Sequence, residues 1–95
     1  MYVKIHKAQH DDVVAVCDEE LIGKTIKDKK HTVTISEQFY KGERMKEQAV
    51  IMMLKDAKNI NLIGKKTIAL GLKIGVITRE NVVIIAGVPH AQAIA

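Results

Sequence analysis

The sequence predicts an α+β fold: a mainly antiparallel sheet with two main helices packed on one face. Three observations predict it. Period-two alternation and β-branched runs mark strands near both ends of the chain. Two stretches with apolar residues at three- and four-residue steps lie between them. The resulting order of strands, helices and then strands is that of helices covering a sheet rather than alternating with its strands.

Each element follows from its residues. In YVKIH (2–6), Val3 and Ile5 fall on one face and Tyr2, Lys4 and His6 on the other, as in a half-buried strand. KAQHDD (7–12) is polar and turn-like, and VVAVC (13–17) is a more buried strand, so the two strands form an N-terminal hairpin. DEELIG follows, with Gly23 suited to a turn, then the charged connector KTIKDKKH (24–31) and a third strand, TVTI (32–35). Ser36 caps a short helical turn through Tyr40, which Gly42 ends. Residues 43–58, ERMKEQAVIMMLKDAK, form the first main helix, with Met45, Ala49, Met52, Met53 and Ala57 on one face. Its acidic start at Glu43 and basic end at Lys55 and Lys58 match the helix dipole, and Asn59 terminates it.

INLI (60–63) is either a short strand or a packed connector. KKTIALGLKI (65–74) is the second helix, with Ile68, Gly71 and Leu72 near its buried stripe and Gly75 as its C-terminal cap. A glycine at position 71 costs about 1 kcal/mol relative to alanine, which marks close packing against another backbone. TREN (78–81) is a turn and VVIIA (82–86) a buried strand. Gly87-Val88-Pro89 breaks that strand, and HAQAI (90–94) returns. Proline at such a break removes no ladder bond.

Composition bounds the function. Ninety-five residues make one domain over 1–95, and 47% hydrophobic with 27% charged residues is ordinary globular composition. The only aromatic rings besides histidine are Tyr2, Phe39 and Tyr40. A single cysteine, Cys17, excludes an internal disulfide and fits a reducing compartment. MYVKIHKAQHDD has no uninterrupted apolar core and no cleavage signature, and no apolar run approaches the ~20 residues of a membrane span. A cytoplasmic location is expected. The net charge of +4 is uneven. Nine cations and nine carboxylates balance in residues 1–48, whereas six cations face two carboxylates in residues 49–95. Such an excess favours polyanionic partners.

Two stretches imitate a nucleotide-binding loop, LIGKT (21–25) and LIGKKT (62–67). The loop requires a second glycine five positions before the Gly-Lys pair. Asp18 and Asn59 stand there instead, and Lys66 replaces the hydroxyl residue in the second stretch. What survives is an anion site at a helix start, Gly64-Lys65-Lys66-Thr67, against the plainer reading that these lysines are solvated first-turn residues. His6, His10, His31 and Cys17 lack the spacing of a metal site, so no metal and no cofactor are expected. Cys17, Asp18, Glu19 and His90 are weak catalytic candidates. The three acids after Cys17 keep a thiol protonated, and an inert buried cysteine is the plainer alternative. Lys24, Lys27, Lys29, Lys30 and His31 form a local basic patch. Phosphate contact is open to such a surface, while base stacking is disfavoured by the few aromatics.

CDEELIGKTI, ISEQFYKGE, NLIGKKTIALGLKIGVI and VVIIAGVPHAQ, together with the YVKIH start, resemble the archaeal family catalogued as domain of unknown function 424. The likeness covers nearly the whole chain. It implies a short, single-domain, cytosolic α+β protein from an archaeon and carries over no activity, cofactor or catalytic residue. An association of such genes with translation factors moves the expected partner toward the ribosome or RNA.

The leading expectation is therefore a binding module of the translation apparatus, contacting RNA phosphates or a ribosomal or translation protein. Lys24, Gly64, Lys65, Lys66, Lys73 and Arg79 would form its anion- or nucleic-acid-binding surface. The alternatives are an enzyme or small-ligand binder at the Asp18, Glu19 and His90 corner, and a homodimer that buries an exposed Met and Ile face.

Overall fold

The computed structural model describes residues 1–94. Its strands are β1 (Tyr2–His6), β2 (Val13–Cys17), β3 (Thr25–Lys27), β4 (Thr32–Thr34), β5 (Glu43–Arg44), β6 (Asn59–Ile63), β7 (Val82–Ile85) and β8 (Val88–Ile94). Three helices, α1 (Glu37–Tyr40), α2 (Glu47–Asp56) and α3 (Lys65–Ile74), and 3-10 turns at Glu19–Leu21 and Arg79–Asn81 complete them. Six strands form one sheet in the order β5-β1-β2-β6-β8-β7, and β3 and β4 pair separately. The sheet is mostly antiparallel, which makes this an α+β fold; β2 and β6 are its one parallel pair among the described residues. No helix is long and apolar enough to cross a membrane.

The alternation of side chains along each strand sends two different sets to the two faces of the sheet. Val3, Val14, Val16, Ile60, Leu62 and Ala91 pack in one cluster with Val50 and Leu54 of α2 and Ile68 and Leu70 of α3. Ala15, Cys17 and Ile63 point the other way and pack with Ile35 and Tyr40, ringed by Leu21, Ile22, Ile26, Val33 and Phe39. The segment between β2 and β6 thus supplies cover for a second face, and NINLI (59–63) is a central strand rather than a connector.

Several boundaries differ from the sequence reading for identifiable reasons. The first main helix begins at Glu47, not Glu43, because Glu43 and Arg44 pair with Val3 and Tyr2 at the sheet edge. The Met45 amide donates to the Met1 carbonyl, so the edge ladder claims the backbone that a longer helix would need. The buried stripe of α2 is Val50 and Leu54, and Met52 is 72% exposed. The charged stretch 24–31 is not a plain connector: Thr25–Lys27 pairs antiparallel with Thr32–Thr34. The second helix keeps its expected bounds, Lys65–Ile74, and Gly71 is packed closely. A Cβ there would lie 2.8 Å from Leu62 Cδ1.

The C-terminal bend lies earlier than Gly87-Val88-Pro89. Ala86 (φ 49°) and Gly87 (φ 81°) form a two-residue turn between Ile85 and Val88, the left-handed pair that suits the twist of a tight hairpin. Pro89 is therefore inside β8, opposite Ile84. A two-residue turn makes Ile85 and Val88 the hydrogen-bonded pair, so Pro89 falls at a position where no N–H is required toward β7. Its carbonyl accepts from the Gly64 amide at 2.9 Å.

Two aspartates tie distant segments together. Asp18 follows β2 and is 3% exposed. Its carboxylate accepts from the amides of Lys66 (3.0 Å) and Thr67 (2.8 Å) and from the Thr67 hydroxyl (2.7 Å). It thus caps α3 from another strand, satisfying amides that the first turn of a helix leaves without partners. Gly64 stands against this carboxylate at φ 112°, and a Cβ there would overlap Asp18. Asp28 accepts from the amides of Lys30, His31 and Ala86, which fastens the β3–β4 hairpin to the β7–β8 turn.

Two outcomes follow. Asp18→Ala strands three donors and loses a charge-assisted cap, which costs about 3 kcal/mol and lowers the thermal midpoint by roughly 10 °C or more in a melt. The amides of Lys30, Ala86 and His31, in that order of effect, hold the Asp28 carboxyl below its ordinary value of 3.8. A depressed folded value means that the carboxylate stabilises the fold fully above the ordinary value and ceases to as pH falls through the folded one. Hydrogen exchange at the Ala86 amide, corrected for its intrinsic pH dependence, should lose protection on acidification below that range. Asp28→Asn should abolish the dependence.

Candidate functional site

The sheet face that carries Ala15, Cys17 and Ile63 is ordered by strand register into rows. Tyr2, Cys17, Ile63, His90 and Val83 form one row across β1, β2, β6, β8 and β7. Lys4, Ala15, Asn61 and Gln92 form the next, and His6, Val13, Asn59 and Ile94 the third. α1 and the 21–35 segment cover the first row and part of the second. The third row opens into a groove of about 850 Å³ whose wall includes His6, Phe39, Asn59, Asn61 and Gln92.

A polar network stands where the covered and open parts meet. The Tyr40 hydroxyl donates to Asn61 Oδ1 at 2.5 Å, and His90 Nε2 lies 3.1 Å from the same oxygen. With Oδ1 as the shared acceptor, His90 donates from Nε2 and Asn61 fills both carbonyl lone pairs. Burial lowers the pKa of His90 below 6.5, so the imidazole is neutral at pH 7. Burial, with the neighbouring Cys17 as a smaller cause, raises the Tyr40 phenol above its ordinary value, so it remains a donor. Beside the network, His6 stacks on Phe39 with ring centroids 4.5 Å apart, and His6 Nε2 is 2.7 Å from the Phe39 carbonyl. Phe39 also meets Tyr40 edge to face at 4.8 Å. Ser36 fixes this short helix by accepting from the Phe39 amide.

The sequence candidates are distributed differently. Cys17 is fully buried, and burial, then the Asp18 charge, pushes its thiol up to about 12. Cys17 and His90 share a row, but Ile63 stands between them, and two strand spacings put their backbones about 9.5 Å apart. Asp18 serves the start of α3, and Glu19 forms an ion pair with Arg44. These four residues do not meet as a catalytic set. Among the described residues, no cluster of three His, Cys, Asp or Glu side chains could hold a metal ion.

The amides of the Gly64 helix start are likewise engaged: Lys66 and Thr67 donate to Asp18, so they do not form an open anion cradle. Lys24, Lys65, Lys66, Lys73 and Arg79 are exposed and form no ion pair among the described residues. Lys66 and Lys73 lie two turns apart on one face of α3, with Ala69 between them and Glu47 of α2 bordering the same depression.

Tyr40, Asn61, Asn59 and Gln92 escaped the sequence reading. Asn59 and Asn61 alternate with Ile60 and Leu62, so the signal was present in NINLI, but only for a reader who takes 59–63 as a strand.

The network gives a measurable pH response. His90 gains protons less readily folded than unfolded, so stability is full above pH 6.5 and falls as pH drops through its folded pKa. His90→Gln should remove this acid-side loss in thermal melts between pH 7 and pH 5. The His90 ring signals in NMR should titrate below those of a free histidine.

The geometry can now be set beside other proteins. No curated protein matches the sequence. An uncharacterised conserved protein from Methanopyrus kandleri, known from its crystal structure, is similar at 30% identity with a TM-score of 0.75. The match covers 96% of this chain and 87% of that one. A family model described as protein of unknown function (DUF424) matches residues 6–95, so the Asp18 cap, the Tyr40–Asn61–His90 network and every member of the sheet rows except Tyr2 and Lys4 lie within the matched region. The chain belongs to the DUF424 family.

Proposed function

We propose that this protein is a cytoplasmic binding module of an archaeal translation apparatus that contacts RNA phosphates through the outward cations of α3 and its C-terminal connection. One observation carries the reading. Lys65, Lys66, Lys73 and Arg79 are exposed and have no carboxylate within ion-pair distance among the described residues. Lysines at a helix start oppose the dipole. Here the first-turn amides already have their anion in Asp18, so Lys65 and Lys66 are not needed by the helix and present charge outward. Lys66, Ala69 and Lys73 make a row with a small residue between two ammonium groups, which leaves a phosphate backbone room to approach. The excess positive charge of residues 49–95 has the sign that steers a polyanion. An enzyme at the Asp18, Glu19 and His90 corner lacks support, because its thiol is buried and its acids are engaged.

The test is binding to a labelled single-stranded RNA across a salt series. Affinity should fall log-linearly with salt, and Lys66→Glu with Lys73→Glu should reduce the slope by about 1.4, the share of two phosphate contacts on a single strand. Absence of binding at low ionic strength, or a slope indifferent to the double substitution, would overturn the reading.

A further inference from the structure

The groove beside the Tyr40–Asn61–His90 network differs in chemistry from the lysine surface of α3. No Asp, Glu, Lys or Arg lines it among the described residues. Four carboxamides do, Asn59, Asn61, Asn81 and Gln92, together with apolar side chains such as Val13 and Ile94 and the His6–Phe39 ring pair. A wall without charge selects a neutral ligand, and carboxamides present a donor and an acceptor side by side.

Asn61 makes the site directional. Its side chain is held although only 7% of the residue is exposed. Both bonds to Oδ1 come from the side of the covered row, from Tyr40 of α1 and from His90. That leaves the geminal Nδ2 as the unused polar atom of a side chain that lines the groove. Nδ2 has no partner among the described residues and is not sealed from solvent. A nearly buried donor is thus fixed in place by two hydrogen bonds and left open to an incoming acceptor.

We propose that this groove binds a nucleobase, with the carboxamides of Asn61, Asn59 and Gln92 reading the base edge and the His6–Phe39 pair offering an aromatic surface. Base edges carry adjacent donors and acceptors that an amide meets in pairs, and unpaired bases stack on aromatic and imidazole rings. The groove volume lies in the range of small-ligand sites. Asn81 also lines the groove, and exposed Arg79 precedes it by two residues, close enough along the chain to meet a phosphate attached to the base. In its strand-bound form this inference rests on the RNA reading above; for a free nucleoside it stands alone.

The experiment is an NMR titration of the whole chain with adenosine, with uridine, with a single-stranded hexanucleotide and with a duplex of the same composition. Either nucleoside should shift the side-chain amide signals of Asn59, Asn61 and Gln92. If the site serves RNA, the single strand should bind at least about fivefold more tightly than the duplex, which is the scale of one stacked base. Gln92→Ala, at an exposed position, and Asn61→Asp should each weaken binding by a similar factor. The latter keeps the acceptor for Tyr40 and His90 and removes the amide donor. Groove shifts without salt dependence would support the base site while removing the phosphate reading. Salt-dependent RNA binding that leaves the three amides unmoved would overturn the base site and leave the phosphate reading standing. Shifts indifferent to both substitutions would also overturn it.

Discussion

At one end of the sheet β2 finishes, β6 finishes and α3 starts, and the buried carboxylate of Asp18 joins all three. Its backbone amide donates to the Ile63 carbonyl while its side chain holds the first turn of α3. The next amide, that of Gly64, donates to Pro89 of β8, so the same corner also fixes the strand that carries His90. A carboxylate is suited to this position because it accepts several bonds at once and favours the positive end of the helix dipole. It tolerates no Cβ at residue 64, which is why the strand leads into the helix through a glycine in a left-handed conformation. Strand register, helix placement and the position of Asn61 beside His90 all depend on that joint.

The joint also separates two kinds of surface. An internal anion answers the helix start, and the nearby Lys65 and Lys66 are exposed and form no ion pair among the described residues. Around the Tyr40–Asn61–His90 network and its groove the sheet is polar without being charged: amides, imidazoles and a phenol line it, and only part of their bonding capacity is used. A charged exterior and a neutral groove are the two features that a ligand with a phosphate backbone and unpaired bases requires at once.

Much of this was legible in the sequence, and the remainder was hidden for physical reasons. The N-terminal hairpin, the bounds of Lys65–Ile74 and the short turn capped by Ser36 follow from alternation, helical spacing and capping chemistry, which are local. Glu43 and Arg44 look helical by composition, but the sheet edge claims their backbone. Pro89 reads as a break, yet register places it where its missing N–H has no ladder role. Asp18 reads as a carboxylate spoiling a phosphate loop; its true partner lies 49 residues away at Thr67. Likewise the histidine at 90 was visible as unusual, but Asn61 reaches it through the antiparallel pairing of β6 with β8 and Tyr40 through α1, on a strand β6 that is itself held by its parallel pairing with β2. Contacts made across the chain leave no mark in a window of ten residues.

That parallel pairing has a kinetic side. β2 ends at Cys17, and its neighbour β6 begins at Asn59, so the middle of the sheet closes only when segments far apart in the chain meet. Closing so long a loop costs entropy before any of its contacts form, and topologies rich in such pairings fold more slowly than those built from adjacent elements. Until β6 arrives, one edge of β2 is bare, with Ala15 and Cys17 on one side of it and Val14 and Val16 on the other.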